Sequence, residues 1–274
     1  MNYSIHENGW TVLLHEDLKK LSAEEAKEVC RLIVSNMVVV CKNQHMTPEE
    51  ELEFCSKIGS HGYYPDGDDR VKHIRLNDGI LRVTGKKDQY GKEGLFGHVS
   101  TLDWHANQPS NTLRKPLIWL YGKEGTKGSR TSWINNIKSY EALPEELKLR
   151  IDDIKIQCGY KSGNYSPSTF FNEHINHNNS INLVQVNKEG KEGLFFPFLQ
   201  TFGFEGYSEK EFVEIMELLK EHVIREEFMY HHDWEDSDVV ISEQWLSIHK
   251  RWEFQNMENR VLHRIAFDYE KVYQ

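Results

Sequence analysis

The stretch V-L-H-R-I-A-F-D-Y, residues 261–269, points to the fold class. It is rich in β-branched and aromatic residues and reads as a strand. Working back from it, S-D-V-V-I-S (237–242), P-L-I-W-L-Y (116–121), residues 100–107 and M-V-V-V-C (37–41) read as further short strands, the last of them buried. Helices are few. S-A-E-E (22–25) is a capping box that opens a helix carrying Ala26, Val29, Ile33 and Val34 on one side. T-P-E-E (47–50) opens a second, with Pro48 at its first position and an expected stop at Gly59. S-E-K-E (208–211) opens a third, with Phe212, Ile215, Met216 and Leu219 at helical spacing. A short helix is expected around P-E-E-L-K within 139–155.

Short strands with peripheral helices suit a mainly β, α+β chain built as a jelly-roll type double sheet. Regular alternation of strand and helix, the mark of a doubly wound parallel sheet, is missing, as are phosphate-cradling glycine motifs. The expected organisation is one domain over 1–274. Residues 60–100 read as strand fragments and loops, and 155–205 as a lid or insertion that includes Tyr160, Tyr165 and His174.

Lys and Arg number 33 against 43 Asp and Glu, a net charge of −10. Nucleic acid and anionic membrane surfaces are therefore poor candidates as main partners, and a small molecule is the expected one. No apolar run reaches membrane-spanning length, and the first residues lack the basic start and apolar core of a signal peptide. The four cysteines form no C-x-x-C pair and read as buried thiols of a cytoplasmic protein. Oligomeric state is not legible.

Chemistry gathers at L-D-W-H-A-N-Q (102–108) and W-L-S-I-H-K-R (245–251). On a strand with period two, Asp103, His105 and Asn107 share a face, with Trp104 and Ala106 on the other. Such a polar face calls for a wet cavity, a metal or a solvent-facing edge. His249 is a second imidazole, 144 positions further on. His174, His177, His231 and His232 read as loop residues and His263 as structural. Arg260 and Arg264, four apart, face one way and require anionic partners, either ligands or internal acids such as Asp268.

Five stretches, V-V-V-C-K-N-Q-H-M-T-P-E-E-E-L-E-F-C-S-K-I-G (38–59), W-H-A-N (104–107), P-L-I-W-L-Y-G-K-E-G-T-K-G-S-R-T-S-W-I-N-N (116–136), W-E-D-S-D-V-V-I-S-E-Q-W-L-S-I-H (234–249) and N-R-V-L-H-R-I-A-F-D-Y (259–269), occur in the order found in one family. Together the chain resembles the TauD/TfdA-like iron(II)- and 2-oxoglutarate-dependent oxygenases. The resemblance implies a distorted double-stranded β-helix. It implies Fe(II) bound by His105 and His249, with 2-oxoglutarate and O2 as cosubstrates. It further implies that Arg260 and Thr131 hold the far carboxylate of 2-oxoglutarate and that Arg264 reaches an acidic group of the substrate. Asp103 could receive an amine, which would suit an amino acid or a derivative as the hydroxylated molecule.

The family's carboxylate ligand falls on Asn107, a neutral amide with weaker attraction for a cation. Three outcomes follow: Asn107 ligates the metal, with Asp103 assisting or replacing it; the position takes an anion, as in the related halogenases; or the chain is a non-catalytic binding protein on this fold.

Overall fold

The computed structural model describes residues 1–62, 76, 79–107, 115–158 and 180–273. Much of the expected lid or insertion, with Tyr160, Tyr165, His174 and His177, lies outside the described residues. Strands and helices are numbered in chain order.

Sixteen described strands form four sheets. The largest runs β1 (Tyr3–Ile5), β2 (Val12–Leu14), β3 (Val38–Cys41), β14 (Val239–Glu243), β6 (Leu117–Glu124), β16 (Val261–Phe267), β4 (Leu81–Val83). Its pairings are antiparallel except for β2 with β3. The second runs β13 (Met229–Asp233), β7 (Arg130–Asn135), β15 (Ser247–Arg251), β5 (Leu102–His105). A three-stranded sheet of β12 (Thr201–Phe204), β8 (Lys155–Cys158) and β9 (Ser180–Asn182), and a hairpin of β10 (Val184–Val186) and β11 (Glu192–Leu194), complete the set.

This corrects the expected jelly roll and double-stranded β-helix. The fold is a mixed α+β arrangement of open sheets, none of them closed into a barrel. The large sheet ends on β1 and β4 and the second on β13 and β5, and no described strand ladder joins the edge of one to the other. Closure needs that edge-to-edge hydrogen bonding.

Layering follows from period-two alternation on strands buried on both faces. Val38, Val40, Ile118, Leu120, Val240, Leu262 and Ala266 point from the large sheet toward Leu102, Trp133 and Tyr230 of the second, and the core between the sheets forms there. The alternate residues Val39, Cys41, Leu117, Trp119, Val239, Ile241, Ile265 and Phe267 pack against helices α1 (Ala23–Asn36) and α2 (Pro48–Ile58). Behind the second sheet, Ile134 and Ile248 meet Ile215, Met216 and Leu219 of α5 (Glu209–Val223). The short helices α3 (Asn136–Glu141) and α4 (Glu145–Ile151) flank that core; α4, capped at Pro144, is the helix expected around P-E-E-L-K, and α3 precedes it.

All three expected capping boxes form: Ser22 with Glu25, Thr47 with Glu50 and Ser208 with Glu211. Each satisfies two backbone N–H groups that the first helical turn leaves without partners. The four cysteines are buried free thiols, and burial pushes Cys30 up to about 12. His231 and His232 are strand residues of β13, not loop residues, and His232 is buried against Asp238 at 3.1 Å. No described helix is long and apolar enough to cross a membrane.

Candidate functional site

The site lies between the two large sheets. β5 and β15 pair so that His105 sits opposite His249. Their ring centroids are 4.1 Å apart, and His249 stacks on Trp133 at 6.3 Å. Two residues further along, the register shifts: Arg251 pairs with Leu102, so Asp103 and Trp104 together oppose Lys250 alone. This is a β-bulge, and it re-aims the side chains on either side of it. Asp103 is thereby turned out of the site, contrary to the shared face expected for 103, 105 and 107. Its carboxylate is exposed and lies 3.1 Å from Lys250 Nζ. Trp104 also points away, into the outer core.

The bulge leaves the Asp103 carbonyl 2.7 Å from His105 Nδ1. A carbonyl can only accept, so Nδ1 carries the proton and Nε2 keeps a lone pair for a ligand. Burial drives the His105 pKa down to about 4; the Asp103 hydrogen bond opposes this, while Arg264 and Arg251 add to it. Burial, the neighbouring His105 and Arg264 hold His249 well below its ordinary value as well. Both imidazoles are neutral at pH 7, the state in which imidazole ligates metals.

Asn107 also reaches this cavity, but its oxygen is engaged. Arg264 Nη1 donates to Asn107 Oδ1 at 2.7 Å, and Asn107 Nδ2 lies 3.5 Å from His249 Nε2. A guanidinium has only donors, so the amide must turn its oxygen to Arg264 and its NH2 to His249. The backbone is fixed on both sides: Asn107 N–H donates to Gln244 Oε1 at 3.0 Å, and the Gln200 amide bonds both Ala106 N and Ala106 O at 2.8 and 2.7 Å. Arg264 thus pairs with Asn107, while the Asp268 suggested as a partner for the arginines bonds Lys115.

Arg260 is 2% exposed, and burial, together with the nearby Arg251, lowers its pKa to about 9. Its Nε donates to Ser129 Oγ at 3.1 Å, whereas the buried Nη1 has no partner. Thr131 lines the same cavity. Its hydroxyl oxygen accepts from Trp234 Nε1 at 3.0 Å, which leaves the hydroxyl proton free to donate.

Arg251 is the residue that sequence reasoning missed. It donates to the carbonyls of Phe96, His98 and Ser100 at 2.6, 2.7 and 2.6 Å, which ties segment 96–100 over the cavity. Phe96, whose φ is 52°, lies 6.3 Å from the His105 ring and beneath the Arg264 guanidinium at 5.7 Å. Period two from His249 would have found Arg251. Among the described residues the cavity lining therefore holds three arginines and two histidines but no carboxylate. Among the described residues no three His, Cys, Asp or Glu side chains converge as a metal cluster.

The donor set fits a metal held by two imidazoles whose other ligands come from outside the protein, and an unsatisfied guanidinium N–H beside them fits an anion. The chain belongs to the taurine catabolism dioxygenase TauD, TfdA family, which matches residues 12–266. It is 21% identical over 262 residues to the alpha-ketoglutarate-dependent 2,4-dichlorophenoxyacetate dioxygenase of Cupriavidus pinatubonensis, covering 90% of each chain. It is 23% identical over 248 residues to the (S)-phenoxypropionate/alpha-ketoglutarate-dioxygenase of Sphingobium herbicidovorans, covering 84% of this chain and 82% of that one. The crystal structure of AAD-2 in complex with Mn(II) and N-oxalylglycine superposes with a TM-score of 0.80 at 21% identity, over 96% of both chains, a likeness of fold.

Proposed function

We propose that residues 1–274 form one catalytic domain, an Fe(II)- and 2-oxoglutarate-dependent oxygenase that hydroxylates an unactivated C–H bond of a small polar molecule. The observation that carries this reading is the unpartnered, buried Nη1 of Arg260 next to Thr131, in the same cavity as the neutral His105–His249 pair. A buried guanidinium N–H without an acceptor is costly unless a ligand completes it. Arg260 and Thr131 would bind the far carboxylate of 2-oxoglutarate, the guanidinium as a charge-assisted donor and the hydroxyl as a second donor. His105 would hold the iron through Nε2, and His249 would do so by exchanging its Nε2 contact with Asn107 Nδ2 for the metal. When bound, the iron supplies the oxidising chemistry that couples 2-oxoglutarate decarboxylation to hydroxylation by O2. Phe96 and the segment tied down by Arg251 exclude water from one side of the site.

The substrate reading changes with the geometry. An amine would have no partner at Asp103, which faces Lys250 outside the cavity. Both curated relatives named above are, by name, dioxygenases of carboxylic acids. A small acid is therefore the favoured substrate over an amino acid. Hydroxylation is favoured over halogenation because the side chain of Asn107, fixed by Arg264, fills the place a halide would take.

The test is succinate release by the purified protein with Fe(II), ascorbate, O2 and 2-oxoglutarate, with and without a panel of small carboxylic acids. Succinate formation stimulated by at least one acid, with an oxygenated product, is the expected result. No succinate under any condition, and no binding of 2-oxoglutarate by calorimetry, rejects the oxygenase reading in favour of a non-catalytic protein.

A further inference from the structure

We propose that this chain takes up its divalent metal and its dicarboxylate as one unit, and that the Asn107–Arg264 pair enforces the coupling. The inference rests on the 2-oxoglutarate reading above and deepens it.

Charge is the first argument. Among the described residues the cavity lining holds two imidazoles, from His105 and His249, and no carboxylate, while Arg251, Arg260 and Arg264 all line it. A dication approaching the two imidazoles alone gains two nitrogen donors and, among the described lining residues, faces three guanidinium groups. Arg264 is one amide removed from His249: its Nη1 is 2.7 Å from Asn107 Oδ1, and Asn107 Nδ2 is 3.5 Å from His249 Nε2. In a buried site these like charges are poorly screened.

Donor geometry is the second. Asn107 turns N–H bonds, not an oxygen, toward the imidazoles. Rotating the amide to offer its oxygen would take the acceptor from Arg264 Nη1 and face that donor with an NH2 group. Swinging the whole residue is opposed by the backbone bonds at Ala106 and Asn107. Asn107 is thus a positioning residue, and among the described residues the cavity offers a metal two ligands, His105 and His249.

A 2-oxo acid dianion changes both terms at once. Its far carboxylate completes Arg260 Nη1 and Thr131. Its 2-oxo carboxylate end would offer a chelating pair of oxygens and one negative charge beside His105 and His249, while the second negative charge meets Arg260. Each ligand thereby removes the penalty that the other meets, and the coupling is reciprocal.

Mn(II) and N-oxalylglycine, a redox-silent metal and a non-reactive mimic of 2-oxoglutarate, test this without turnover. Mn(II) binding to the whole protein is measured by the loss of the free-ion electron paramagnetic resonance signal, and N-oxalylglycine binding by calorimetry. The expected result is weak Mn(II) binding alone, tightened about 100-fold by saturating N-oxalylglycine, and the same factor in the reverse order. In Asn107→Asp, and independently in Arg264→Gln, Mn(II) alone should bind more tightly than to the wild type, and the factor should shrink below about tenfold. Equal Mn(II) affinity with and without the mimic in the wild type overturns the coupling. So does a wild-type factor in whichever variants keep the native circular dichroism spectrum. Failure of N-oxalylglycine to bind at all, with or without metal, overturns the 2-oxoglutarate reading itself.

Discussion

The two faces of β16 carry buried polar groups to opposite ends. On the helix side His263 bonds Glu51 at 2.7 Å, and Trp119 Nε1 donates to the other Glu51 oxygen at 3.0 Å. Glu51 is 0% exposed, and burial is the largest effect on its pKa, raising it against the bonds from His263 and Trp119. Both carboxylate oxygens are used. On the other side, Arg260, the residue that leads into the strand, leaves one buried N–H without an acceptor. The strand and the residue just before it thus present a closed network to α2 and an open one to the second sheet. Burial alone does not separate a structural polar cluster from a ligand site. Whether its donors and acceptors are completed within the chain does.

The largest effect expected from breaking this contrast is on the closed side. Glu51→Ala leaves His263 and the Trp119 indole buried without their acceptor, and unfolding in urea should show a loss of about 3–5 kcal/mol. N-oxalylglycine affinity of the folded fraction should stay at the wild-type level. A loss below about 1 kcal/mol, the size of an ordinary neutral hydrogen bond, would show the network to be incidental.

The next effect is a pH dependence that belongs to the open side. In the folded metal-free protein His105 titrates at about 4, against an ordinary value of 6.5. Between these values the unfolded chain binds a proton that the folded one refuses, so stability falls as the pH drops through this window. It is fully present above about 6.5. The His105 contribution is at most about 3 kcal/mol. His105→Asn removes the titrating group, and its stability should decline less than that of the wild type between pH 6.5 and 4 in denaturant titrations. Parallel curves for the two proteins would remove His105 as the source. Metal and mimic together should protect the wild type over the same range.

Arg260→Met sharpens the comparison from the ligand side. The substitution removes an incomplete guanidinium, so stability should hold or rise. N-oxalylglycine affinity should fall about 100-fold because the carboxylate loses its charged donor. If binding falls only as far as the melting temperature does, Arg260 is structural, like Glu51.

How much of this was legible in the sequence depends on the range of each signal. The capping boxes at Ser22, Thr47 and Ser208 are four-residue signals, and all of them formed. The common face of Arg260 and Arg264 is a period-two signal, and both line the cavity. Asp103 failed the same rule because a bulge depends on the pairing partner, here Lys250, which lies far along the chain. His232 failed because a strand of mixed polar residues, M-Y-H-H-D, lacks the apolar alternation that marks a strand from sequence. Sheet closure failed because strand content says nothing about which edges meet. The engagement of Asn107 Oδ1 by Arg264 brings together residues 157 positions apart, and no local pattern announces it.

Asp103 supplies the smallest expected effect and the finest test of the geometry. From the sequence it stood on the face of His105 and was a candidate for an amine or even for the metal. In the fold its carboxylate lies outside, exposed, against Lys250, and only its backbone carbonyl serves the site, through His105 Nδ1. Asp103→Ala keeps that carbonyl. The loss should be that of one exposed ion pair, below about 1 kcal/mol and smaller still in high salt. Mn(II) and N-oxalylglycine affinities should not change. A tenfold loss of metal affinity in Asp103→Ala, with the fold intact, would mean that the side chain swings into the cavity when the site fills, and the bulge would then be a movable element instead of a fixed one. Asp103→Pro makes the complementary change. It keeps the carbonyl but locks the backbone at the bulge, so any weakening of metal binding beyond that of the alanine variant would measure how closely His105 depends on the bulge's shape.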